Sequence, residues 1–201
     1  MRAAIPPQRG VTLIEVMLGL AILGILLTLA IPSFTQFLQN QKIKNAAETT
    51  LQGLNLARTE AVRRNASMRF QFVSALTSGC ALSATAMNWV VSQADPSGAC
   101  DTAPSPTGNI VQVKSANDGT QGVTMAATPS TGTTIVFTGL GRVSSAGFTQ
   151  LDFSFPGGGT CQKDGGTMRC MRIIMSTSGS SKVCDPQLTV NTPQVDPREC
   201  Q

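Results

Sequence analysis

One carboxylate in this chain stands where a charge is costly. Glu15 is followed by a stretch without charge from Val16 to Gln41, almost wholly apolar from Val16 to Leu29 apart from Gly19, Gly24 and Thr28. At the centre of a bilayer such a group is disfavoured by ~2.5–3.5 kcal/mol, so its retention implies a partner or a function. The chemistry open to it there is pairing with a cation. Catalysis finds little elsewhere. The chain has no His and no Tyr, which removes the usual base of a Ser-His-Asp or Cys-His enzyme and the usual zinc ligand. Asp152, Asp164 and Glu199 are isolated carboxylates, and Gly157-Gly158-Gly159 lacks the strand-to-helix setting of a phosphate loop. The six Cys contain no Cys-x-x-Cys pair and read as three disulfides in an oxidising compartment. These residues point to no enzyme, no cofactor and no metal.

The elements that position Glu15 begin with the apolar run itself. Val11 to Ile31 would span roughly 31 Å as a helix, about the hydrocarbon thickness of a membrane. Arg2 and Arg9 precede it and place the amino end in the cytoplasm by the positive-inside rule. A secretory signal peptide cut near Thr28-Leu29-Ala30, or a plain single-pass anchor, would also fit the run, but neither has a use for Glu15. Beyond Pro32 the stripe Phe34, Leu38, Ile43, Ala47, Leu51, Leu54, Ala57 and Ala61 continues at helical spacing. The i, i+4 pair Glu60–Arg64 supports its last turns, and Arg63-Arg64-Asn65 is a plausible stop.

After Asn65 the period changes from helix to strand. Met68, Phe70 and Phe72 alternate with polar residues, giving a strand with one apolar face. Further strands are expected at Asn88–Ser92, Ile110–Ser115, Gly122–Ala127, Thr133–Thr138, Phe148–Phe155 and Thr167–Ser176, and Asp164-Gly165-Gly166 reads as a hairpin turn between two of them. Trp89 with Val90 and Val91 reads as core. The expected class is α+β: a long helix, half transmembrane and half amphipathic, packed on an antiparallel β head. Six Cys allow 15 pairings. Pairing in sequence order would join Cys80 to Cys100, clip the Asp164 turn with Cys161 and Cys170, and tie down the tail Asp185–Glu199 with Cys184 and Cys200.

The hexapeptide Gly10-Val11-Thr12-Leu13-Ile14-Glu15, behind a short basic leader and ahead of an apolar run, resembles the signature of type IV pilins and type II secretion pseudopilins. The resemblance implies cleavage by a prepilin peptidase between Gly10 and Val11, then methylation of the new amine on Val11. The family's usual residue after the cut is Phe, and Val11 departs from it. Pro32 falls where many pilins place a helix-bending proline. Glu15 then acquires a role, since its carboxylate would neutralise the terminal ammonium of Val11 on a neighbouring subunit. In an apolar bundle that attraction is poorly screened, so it would set the register between subunits. On this reading residues 1–10 are a leader, 11–32 the transmembrane and polymerising helix, 33–65 the amphipathic half, and 66–201 a periplasmic head. Loss of Arg2 and Arg9 with the leader leaves 13 cationic side chains against 11 acidic ones, only weakly basic.

The head resembles the FimT/FimU/GspH group of minor pilins and pseudopilins. The residues concerned are Leu54 to Arg64, with Ala57–Arg64 following the group's helix closely, Ile135-Val136-Phe137 followed by Gly141-Arg142, and Arg172-Ile173-Ile174-Met175-Ser176. Such subunits prime assembly and sit near the filament tip, in a type IV pilus or a type II secretion machine. The implied partners are other pilins, the peptidase and the bacterial inner membrane. Some members bind DNA through an arginine-rich segment near the carboxyl end. The matching stretch here, Gly179 to Pro186, keeps only Lys182, which with Arg169, Arg172 and Arg198 could form a modest patch for DNA. A tip-borne module that binds DNA or adheres to a surface is therefore the alternative function.

Overall fold

A computed structural model describes residues 10–188 and 196–200. Residues 1–9 of the expected leader, residues 189–195 of the expected tail and the side chain of Pro32 lie outside the described residues. The chain divides into two units, Met1–Leu38 and Gln39–Gln201. Helix α1 runs Leu13–Arg64.

In the first unit α1 is clothed in apolar side chains with no core to enter. Leu13, Ile14, Met17, Leu20, Ile25 and Phe34 are each at least 60% exposed. Thr28, a polar interruption of the run, donates its hydroxyl to Ile25 O at 2.7 Å and so carries no free donor. No single helix among the described residues is long and apolar enough to cross a membrane; the segments Leu13–Thr28 and Ser33–Arg64 meet that requirement together.

The second unit combines residues 39–64 of α1 with nine strands: β1 (Met68–Val73), β2 (Asn88–Ser92), β3 (Ile110–Lys114), β4 (Thr124–Thr128), β5 (Thr134–Phe137), β6 (Val143–Ala146), β7 (Gln150–Ser154), β8 (Met171–Met175) and β9 (Ser181–Cys184). They form two antiparallel sheets, ordered β3-β2-β1-β5-β6 and β4-β7-β8-β9. The class is α+β.

Small residues on α1 let the helix lie close to the sheets. Ile43, Ala46, Ala47, Leu54, Ala57 and Ala61 are fully buried in one core with Phe70, Phe72, Trp89, Ile135, Leu151 and Phe153. A Cβ on Gly53 would stand 2.8 Å from Phe70 Cε2 and 3.0 Å from the Trp89 ring, so only glycine fits this crossing. Phe70 meets Phe72 edge-on at 5.1 Å, a favoured aromatic geometry. Of the expected stripe, Phe34 and Leu38 differ: they are 61% and 44% exposed and do not join this core.

The stop at Asn65 has a clear cause. Asn65 takes a left-handed φ of 46°, Ala66 N–H donates to Ala61 O at 3.1 Å, and Asn65 N–H to Val62 O at 3.2 Å. That is the Schellman arrangement, which satisfies carbonyls otherwise orphaned at a helix end.

Three sequence expectations need correcting. Strand β1 is not half-exposed: Val73, Val90 and Ile110 form a second buried cluster on the far face of its sheet, under the loop closed by Cys80–Cys100. Strands β6 and β9 are additions, and both read poorly as strands because each has only four residues and no sustained alternation. Asp164-Gly165-Gly166 is not a simple hairpin. Gln162–Asp164 forms a 3-10 turn with Gly165 left-handed, inside a longer β7–β8 connection where Cys161 and Met168 bridge in parallel. Disulfides join Cys80–Cys100, Cys161–Cys170 and Cys184–Cys200.

Candidate assembly interface

Thr12, just before α1, accepts the Glu15 backbone N–H on its hydroxyl at 3.3 Å, and its carbonyl takes Glu15 and Val16 N–H at 3.1 and 3.2 Å. Thr12 is thus the N-cap, and Glu15 is the third helical residue, the spacing of a capping box. Sequence reasoning singled out Glu15 but passed over this Thr-x-x-Glu signal. Glu15 also sits in the first turn, where the helix dipole favours an anion. Among the described residues it has no ion-pair partner. Gly10 and Val11 are exposed beside it.

The segment Ala57–Arg64 does more than end a helix. Ala57 and Ala61 face the core, while Arg58 Nε donates to Gly141 O at 2.9 Å, holding the β5–β6 turn against α1. Glu60 accepts from Arg63 Nε and Nη2 at 2.9 and 2.7 Å and from Arg64 Nε at 2.9 Å. Both arginines also donate to the loop before β3: Arg63 and Arg64 to Pro106 O, at 3.0 and 2.7 Å, and Arg64 to Gly108 O at 2.9 Å. The guanidinium hydrogen bonds of Arg63 lead in holding the Glu60 carboxyl below its ordinary range, Arg64 adding to them against some opposition from burial.

The cations expected to contact DNA are not gathered into a bare patch. Arg172 Nε meets Asp152 Oδ1 at 2.7 Å, Arg169 Nε meets Asp185 Oδ2 at 3.1 Å, and Arg198 meets Asp196 at 2.7 Å. Lys182 Nζ donates to Glu199 O at 3.2 Å. The Arg198 side-chain hydrogen bonds, helped by its backbone N–H, hold Asp196 at about 2. These contacts surround the Cys184–Cys200 bond: Asp185 is buried and its N–H donates to Arg198 O at 2.8 Å. The carboxylates that looked isolated in the sequence, Asp152 and Asp164, pair with Arg172 and Lys163. Among the described residues no three His, Cys, Asp or Glu side chains are arranged to hold a metal ion.

An apolar, exposed helical stretch with a capped acidic start, followed in sequence by a disulfide-bonded α+β head, is the arrangement of a pilin-type subunit. The prokaryotic N-terminal methylation motif matches residues 5–31, and the family of type II transport protein GspH matches residues 46–179. The chain belongs to the GspH family. No curated protein matches it in sequence. Among solved structures, the type IV minor pilin FimU of Pseudomonas aeruginosa is similar in two crystal forms. One has 18% identity and a TM-score of 0.47, covering 75% of this chain and 93% of that one. The other has 16% identity and a TM-score of 0.44, covering 72% and 93%.

Proposed function

We propose that the chain is a minor pilin or pseudopilin that primes filament assembly and sits at or near the filament tip. A prepilin peptidase cuts between Gly10 and Val11, the new amine is methylated, and the mature subunit spans the inner membrane once with its head in the periplasm. The observation that carries this reading is the coincidence, in one chain, of the methylation motif at residues 5–31 and the GspH match at 46–179. Glu15 supports it further, as the one charge within an otherwise apolar and exposed helical stretch. Its carboxylate pairs with the Val11 ammonium of a neighbouring subunit and fixes the axial register, because either charge left alone in an apolar bundle costs several kcal/mol.

The test is Glu15→Ala in the full chain. The variant is expected to insert, lose its first ten residues and acquire the N-methyl group on Val11, yet stay out of sheared filaments. Incorporation at the wild-type level would refute the register role, and a mature terminus near Ala30 would refute the pilin reading altogether.

A further inference from the structure

Thr12 decides where α1 begins, and with it the setting of the peptide bond before Val11. Its hydroxyl accepts the Glu15 N–H at 3.3 Å and its carbonyl takes the Glu15 and Val16 N–H groups, which fixes Leu13 as the first helical residue. The same bonds leave Gly10 and Val11 outside the helix. Both are exposed, Val11 at 76%, and nothing stands within 4 Å of a Cβ placed on Gly10. The Gly10–Val11 bond therefore lies on open, non-helical backbone just ahead of a long apolar helix. The methylation motif, matched over residues 5–31, spans that bond independently of the geometry.

A peptide bond inside a helix is a poor substrate for hydrolysis, because its carbonyl is tied to an N–H of the next turn and proteolysis acts on locally opened backbone. Cap preferences decide which bonds the helix takes in. Thr and Gly are comparable N-caps, whereas Val and Ala are much worse. With no cap at position 12, the next acceptable one upstream is Gly10, since Val11 is a poor cap. The Gly10 carbonyl would then accept the first bond of the helix, and Val11 would enter its first turn. The bond proposed for cleavage would be drawn into α1.

We propose that Thr12 is a positioning residue for leader removal: its cap stops α1 at Leu13 and keeps the Gly10–Val11 bond open to a peptidase. The proposal rests on the pilin reading above and adds to it the residue that presents the bond. Hydrolysis adds one water across that bond, leaving a carboxylate on Gly10 and an amine on Val11. Thr12 takes no part in this chemistry and acts only through the helix start. Its role is separate from that of Glu15, whose carboxylate acts after the cut.

The test is the rate of leader removal from the full-length precursor, followed by pulse–chase in cells that assemble the filament, with the new terminus read by mass spectrometry. Thr12→Ala is expected to be cut about fivefold more slowly, the typical cap loss of ~1 kcal/mol converted at about 1.4 kcal/mol per decade. Thr12→Gly, without a side chain, and Thr12→Asn, without a hydroxyl, both keep a cap and are expected to be cut no more than about twofold more slowly than the wild type. A peptidase that reads the threonine side chain itself would slow on all three. Cleavage of Thr12→Ala at the wild-type rate, or equally slow cleavage of the three variants, would overturn the proposal. A wild type never cut between Gly10 and Val11 would remove the pilin reading and the proposal together, whereas a correctly cut wild type indifferent to position 12 removes the proposal alone.

Discussion

Removal of the Glu60 carboxylate should loosen the far end of the head, by an amount the geometry bounds. Glu60 receives three hydrogen bonds from Arg63 and Arg64, at 2.7–2.9 Å. The side chains of Glu60 and Arg64 are each 13% exposed, whereas that of Arg63 is 56% exposed, so the Arg64 contact is the better shielded from water of the two. A fully exposed pair contributes about 0–1 kcal/mol, and breaking a fully buried one costs about 3–5. Glu60–Arg64 lies between these limits, and about 2 kcal/mol is expected for Glu60→Ala. For a chain of this length that lowers the melting temperature by about 4–8 °C.

The assay is thermal unfolding of the detergent-solubilised full chain, followed by circular dichroism with disulfides intact. A double-mutant cycle with Arg64→Ala should show coupling, because the two changes remove one interaction. The pH dependence follows from the lowered Glu60 carboxyl. A carboxyl depressed in the folded state stabilises above its unfolded value and loses that contribution as pH falls through the folded value. The gap between wild type and Glu60→Ala should therefore be full at neutral pH and shrink below pH ~4. Additive effects of the two substitutions, or a gap unchanged on acidification, would refute the argument.

Two further outcomes follow from packing and from the tail. Gly53→Leu should cost at least about 1–3 kcal/mol by forcing side-chain atoms into Phe70 and Trp89. Gly53→Ala should cost less, because better helix propensity returns about 1 kcal/mol; Trp89 fluorescence reports both, and a Gly53→Leu chain as stable as wild type would remove the close-packing account. Replacing Cys184 and Cys200 together by Ser should cost about 2–4 kcal/mol and admit protease after Cys184. Equal protease resistance of the oxidised wild type and the double variant would show that Asp185, Arg169 and Lys182 hold the tail without the disulfide.

The long elements were legible in the sequence because each carried one period over many residues. The stripe from Ile43 to Ala61 repeats at three and four residues, and Met68, Phe70 and Phe72 alternate, so helix and strand could be told apart. β6 and β9 were not legible, since Val-Ser-Ser-Ala and Ser-Lys-Val-Cys have neither length nor a sustained alternation; tertiary pairing with β5 and β8 makes them strands. The second buried face of β1 was hidden for a similar reason. Gln71 and Arg69 look solvent-facing in isolation, and only the loop bearing Cys80 and Cys100 covers that side. Ion pairs such as Arg172–Asp152, 20 residues apart, depend on the β7–β8 register and leave no local mark.

Glu15 is the point at which two explanations compete, and magnitudes separate them. The hydroxyl of Thr12 caps the helix, and that contribution, about 1 kcal/mol, belongs to Thr12 and survives any change at position 15. What Glu15 itself adds to the helix start is its interaction with the dipole, about 0.3–1 kcal/mol. Against this stands the cost of a carboxylate among apolar helices, several kcal/mol when unpaired. Capping alone therefore leaves a net penalty, and Gln at position 15 would serve a capping box without it. On the proposed reading the difference is made up by a cation from outside the chain, since among the described residues Glu15 has no ion-pair partner. The proposed source is the amine that cleavage before Val11 would create on an adjacent subunit, which has the right sign for the pair.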